Sequence, residues 1–172
     1  MQKIINAVPL ALALLSLSGE LAPNPSAQQQ TGKATVSLSQ PRRDGQLDCA
    51  PDAGGIFRCS AAGGVTGLSH EQTLFLWVKP VRPPSESAGW YLQRRPNGIT
   101  NQLGNTWEGV VQVGNRDFSP QDGDIVDVAV SIAEAAVADK LMRETGVVIR
   151  PKPVGVANAI SSNVRLRISR RP

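Results

Sequence analysis

Three stretches of this chain alternate apolar and polar residues with a period of two, and that alternation limits the fold more than any other feature. In WEGVVQVG, Trp107, Gly109, Val111 and Val113 fall on one face, and Glu108, Val110 and Gln112 on the other. In DIVDVAVSI, Val126, Val128, Val130 and Ile132 share the inward side, with Asp127 and Ser131 outward. VRLRIS places Val164, Leu166 and Ile168 inward and Arg165, Arg167 and Ser169 outward. Successive strand side chains point to opposite faces, so each segment reads as a strand with one buried and one wet face. Antiparallel sheets behave this way, and a sandwich is their simplest closure.

A fourth segment differs. Leu74, Leu76 and Val78 alternate with Phe75, Trp77 and Lys79, so both faces are largely apolar, which predicts a central strand. Pro80, Pro83 and Pro84 are expected to end it, because proline cannot donate to a ladder. EAAVADKLMRETG departs from the β pattern. It is rich in strong helix formers and pairs Val137 with Leu141 and Ala138 with Met142 at a spacing of four. It predicts a helix over Glu134 to Thr145, packed through Val137 and Leu141 and closed by a left-handed Gly146.

The N-terminus carries a cation at Lys3, an apolar run from Ala7 to Leu17 and small residues ending near Ala27. That is the order of a secretory signal peptide, with cleavage after Ser18 or near Ala27 both open. The run is shorter than the roughly 20 apolar residues of a membrane-spanning helix. Residues 28–34 read as a flexible leader and residues 35–172 as one domain. Cys49 and Cys59 flank a turn containing Pro51, Gly54 and Gly55, and a disulfide between them fits an exported chain. With a single histidine, two thiols cannot complete a tetrahedral metal site. No cofactor or metal is expected. The formal charge of +4 is scattered, with Arg pairs at 42–43, 94–95 and 170–171. For a secreted or periplasmic protein that dispersion points to solubility, an anionic envelope polymer or a lipid head group, more than to nucleic acid.

The succession GGVTGL, LFLWVKP, GWYLQ, TWEGVVQVG, SPQDGDIVDVAV, from Gly63 to Ile132, resembles small immunoglobulin-like or fibronectin-like β-sandwich domains of bacterial exported proteins. The resemblance implies an antiparallel immunoglobulin-like β-sandwich, with one short helix before the last strand, and a non-enzymatic role. Two features depart from that pattern: both cysteines precede Trp77, and the helix is an addition.

Among chemically capable residues, Ser69, His70 and Glu71 are adjacent in sequence, but neighbours on a turn or strand diverge and do not make a relay. Asp122, Asp124 and Asp127 in SPQDGDIVD suggest turn chemistry, with a calcium loop as the alternative. In GWYLQRRPNG, Trp90 and Leu92 are expected inward beside Trp107, which turns Tyr91 outward with Arg94 and Arg95 at the loop edge. Such a trio suits a sugar ring or an anion. The favoured reading is an exported non-catalytic binding module for an envelope polysaccharide or protein partner, using one sheet face or the 94–106 loop. The alternatives are a hydrolase using His70 with the Asp122–Asp127 acids, and a structural envelope protein docking through the two-sided strand 74–78.

Overall fold

The computed structural model describes residues 33–52, 56–82, 89–94, 98–114 and 119–169. The signal-peptide and leader segments up to residue 32 lie outside them. The chain is mainly β, in the order β1 (Thr35–Gln40), β2 (Gln46–Pro51), β3 (Phe57–Thr66), β4 (Gln72–Arg82), β5 (Trp90–Gln93), β6 (Gly98–Leu103), β7 (Thr106–Val113), β8 (Ile125–Glu134), α1 (Ala135–Arg143), β9 (Ile149–Arg150) and β10 (Ala157–Ile168).

All ten strands join one hydrogen-bonded sheet, ordered β6-β7-β3-β2-β10-β8-β4-β5-β9, with β1 also on β3. It is strongly curled into a half-barrel. The sheet is mixed where sequence analysis expects antiparallel pairing throughout, because β2 and β10 run parallel, with Gln46–Cys49 opposite Arg165–Ile168. The reason lies in chain direction. β1 and β2 both lie antiparallel to β3, one after the other along it, and β10 meets the second of them heading the same way. Alternation specifies which face of a strand is buried, but not the direction of its neighbour.

The concave side of the curl holds the main core. Leu47, Cys49 and Cys59 from β2 and β3, and Trp107 and Val111 from β7, meet Leu74, Leu76 and Val78 from β4, the four inward β8 residues, and Val164 and Leu166. The inward faces expected for β7, β8 and β10 are therefore the observed ones, with Ile168 only half-buried at the strand end. The cysteines are direct cross-strand partners and form a disulfide within this core. Gly63 lets the Trp107 ring lie against β3. A Cβ there would stand 1.9 Å from the Ser37 carbonyl oxygen and 2.7 Å from the indole. The indole Nε1 donates to that same carbonyl at 3.2 Å.

A second core lies on the convex side. Phe75, Trp77, Trp90, Leu92, Ala129 and Ala133 are covered by Ala138 and Leu141 of α1, by Val148 and by Val154. Both faces of β4 are thus buried by this chain itself, so the 74–78 strand is central as expected but offers no docking face. Trp90 and Trp107 fall in different cores, not side by side. Ser131, expected on the wet side, is fully buried. Its hydroxyl accepts from Trp77 Nε1 at 2.9 Å and donates to the Val154 carbonyl at 2.8 Å, satisfying two buried groups at once. β4 also runs past Pro80, which stands opposite Val126 beside a register shift between Pro80 and Arg82. A bulge lets proline sit within a paired strand.

Replacing Ser131 by Ala strands the Trp77 N–H and the Val154 carbonyl. The expected loss is about 1–3 kcal/mol in urea unfolding, against under about 0.5 kcal/mol for the exposed Ser60→Ala. The double variant Cys49→Ala/Cys59→Ala opens a loop of sequence separation 10 and is expected to lose about 2–3 kcal/mol in the same measurement.

Candidate functional site

Tyr91 lies within, and Arg94 just beyond, a four-residue strand whose surroundings the alternation rule does not reveal. Tyr91 is half-buried and packs against the main core on the concave side, where its paired neighbours are Val78 and Ile149. Gln93 points the same way. It is 9 % exposed, and its Oε1 accepts the Gln112 N–H at 2.8 Å. β6 pairs with β7 only as far as Val110, so the Gln93 amide stands in for the missing strand beyond that point.

Arg94 is committed to the helix. Its Nη2 donates to the Leu141 carbonyl at 2.9 Å and its Nη1 to the Glu144 carbonyl. A helix leaves its last carbonyls unpaired and carries partial negative charge at that end, so a guanidinium is well suited to close it. The closing glycine expected at this point is not used: the helix ends at Glu144 in extended backbone, and Gly146 has its positive φ two residues later. Glu144 in turn pairs with Arg150, both half-buried. Arg95 lies outside the described residues. The sugar-stacking trio expected from GWYLQRR is thus replaced, for the two residues described, by a core contact and a helix clamp.

The clamp holds a 22-residue insertion, Ala135–Val156, placed between β8 and β10. The helix is two turns long and buries Ala138 and Leu141, not the expected Val137 and Leu141. Val137 is 37 % exposed, because the spacing that faces β4 and β8 is i, i+3. Gln72 Nε2 donates to Glu134 Oε1 at 2.8 Å at the helix start. Leu92 N–H donates to the Val148 carbonyl at 3.0 Å, and Val156 N–H to the Ile132 carbonyl at 2.8 Å, fastening the far side. Gly155 permits this approach, since a Cβ there would lie 2.3 Å from the Ile132 oxygen.

Among the described residues, six of the seven exposed large hydrophobics belong to the insertion or the strand that follows: Val137, Met142, Val147, Ile149, Val156 and Ile160. Sequence reasoning missed this surface. Its signal was present in VVIRPKPVGV, an apolar run broken by prolines and cations that fits neither strand nor helix periodicity.

His70 and the aspartates do not meet. Gln72 pairs with Glu134 at one end of the β4–β8 ladder and Arg82 with Ile125 at the other, so about 30 Å of strand separates the His70 turn from the Asp122–Asp124 turn. His70 lies 3.8 Å from Glu71, with both side chains exposed. Each aspartate instead accepts a backbone N–H: Asp122 from Ile168 at 2.9 Å, Asp124 from Gln121 at 2.8 Å, Asp127 from Asn163 at 2.9 Å. These bonds make the stretch a turn lock. Among the described residues no group of three His, Cys, Asp or Glu is placed to hold a metal ion.

Replacing Arg94 by Ala is expected to speed amide exchange of residues 139–144 by tenfold or more, measured by hydrogen–deuterium exchange, while the β4 and β8 amides keep their protection. Arg94→Lys should restore little, because one ammonium lacks the planar fork that spans two carbonyls.

No protein-family model matches the chain, and none of the curated proteins compared with it does.

Proposed function

We propose that this chain is an exported, non-catalytic interaction module on an immunoglobulin-like scaffold, engaging an envelope component through the insertion between β8 and β10. The strand order supports the scaffold. One half of the sheet reads β1-β3-β7-β6, and the other β10-β8-β4-β5. Lettered in chain order, these correspond to the A-B-E-D and G-F-C-C′ arrangements of immunoglobulin-like sandwiches, with β2 as the part of the first strand that crosses to the other half. The Cys49–Cys59 disulfide supports an oxidising compartment. No helix among the described residues is long and apolar enough to cross a membrane.

The observation that carries the reading is the concentration of exposed apolar side chains on the insertion, which is itself clamped to the sheet. Isolated surface hydrophobics are ordinary, but six in one segment of 24 residues mark a contact surface. The Arg94, Leu92–Val148 and Val156–Ile132 bonds fasten the segment to the sheet, as suits a preorganised recognition element.

The test is equilibrium binding of the purified full chain to washed envelope fragments. The reading expects saturable association that weakens at least tenfold in Val147→Asp, with the Cys49–Cys59 disulfide intact in the exported protein. Absence of saturable binding to any envelope fraction would end this reading. So would a hydrolytic activity on ester, peptide or glycoside panels that His70→Ala abolishes.

A further inference from the structure

Within the insertion, residues 140–152 read KLMRETGVVIRPK. The stretch has four cations and one acid, a net charge of +3. A second basic run, residues 163–172, has four arginines and no acid, and the rest of the chain is net acidic. The same thirteen residues contain Met142 at 61 %, Val147 at 75 % and Ile149 at 37 % exposure. Cations and bare apolar side chains thus share one short loop-and-helix-end segment.

The cations divide by what they already touch. Arg150 is half-buried against Glu144 and serves the fold. Arg143 pairs with Asp139 at 3.7 Å, but both side chains are more than 70 % exposed, and such a surface pair is worth little and yields readily. Lys140 and Lys152 are exposed, and no ion pair engages either among the described residues. Lys140 and Arg143 also line a shallow open depression on the outer helix face, with Ala136, Asp139 and Glu144. Three cations are therefore available beside the exposed Met142 and Val147, while Ile149 turns to the other face with its paired Tyr91.

We infer that this segment docks on an anionic bilayer surface, with Val147 and Met142 entering the head-group boundary and Lys140, Arg143 and Lys152 meeting lipid phosphates. The inference rests on the interaction-module reading and names the envelope component. An anionic membrane matches both halves of the pattern: the cations gain from the negative surface potential, and the apolar side chains gain from leaving water. A glycan accounts for neither the aliphatic side chains nor their isolation from aromatic rings, since sugars are held by stacking. An acidic protein accounts for the charge, and is separated from the bilayer by the experiment.

The experiment is co-sedimentation of the full chain with vesicles of phosphatidylcholine alone and of phosphatidylcholine with phosphatidylglycerol. Binding is expected on the anionic vesicles, with a steep loss between low and high salt. Removing Lys140 and Lys152 together, as Ala, should weaken it on the order of twentyfold, at about fivefold per cation. Val147→Asp should weaken it tenfold or more. Leu103→Asp, an equally exposed apolar site at 76 % on the β6–β7 hairpin, should leave it unchanged. Unaltered urea unfolding of each variant confirms that the fold is intact. Equal binding to both vesicle types, or wild-type binding by the Lys140/Lys152 and Val147 variants, would overturn the inference. Association with envelope fragments that survives lipid extraction, without vesicle binding, would overturn it in favour of a protein or glycan while leaving the module reading standing.

Discussion

The structure depends on burial of both faces of β4. Its even-numbered side chains Leu74, Leu76 and Val78 close the concave core, and its odd-numbered Phe75 and Trp77 anchor the convex one. A sheet this curled encloses only one side, so the other face of β4 and β8 needs its own cover, and the insertion between β8 and β10 supplies it. Burying a side chain as large as Trp77, with no exposed surface left, contributes on the order of 3 kcal/mol, which is a sizeable part of the net stability of a small domain.

Among the described residues, what covers the convex face is small: two helical side chains, Val148 and Val154. Apolar contact from so few groups does not by itself set where the insertion sits, and directional bonds do that work. The Trp77–Ser131–Val154 hydrogen bonds pin the stretch that leads into β10, while Arg94 and the Glu144–Arg150 pair fix the helix end. These bonds engage Ser131, Arg94, Glu144 and Arg150 on the inner side, and the outward Met142, Val147 and Lys152 take no part in them. That division leaves Met142, Val147 and Lys152 exposed and gives the proposed contact surface its chemistry.

Much of this was legible from the letters. Period-two alternation identified β7, β8 and β10 with their inward faces, the doubly apolar segment marked β4 as central, and helix propensity located α1 to within two residues at each end. The cysteines paired as their spacing and the intervening turn suggested. β2 and β6 carry weaker patterns, and their pairing came only from the register of their neighbours. At the candidate site Tyr91 and Arg94 were singled out for their type, but type does not say what a guanidinium meets. The helix end that Arg94 caps lies 47 to 50 residues away in the chain.

By itself the sequence determined the strands of clear alternation, most of their inward faces, the one helix and the chance of a disulfide, because these follow from spacing between near neighbours. Only the tertiary structure decided that Ser131 is dry, that Trp90 and Trp107 belong to separate cores, that His70 and the aspartates stand at opposite ends of one ladder, and that the bare apolar surface lies on the insertion. Each of those depends on which distant segment covers a face. Long-range cover is chosen by the closing of the whole sheet, and no local period in the chain encodes it.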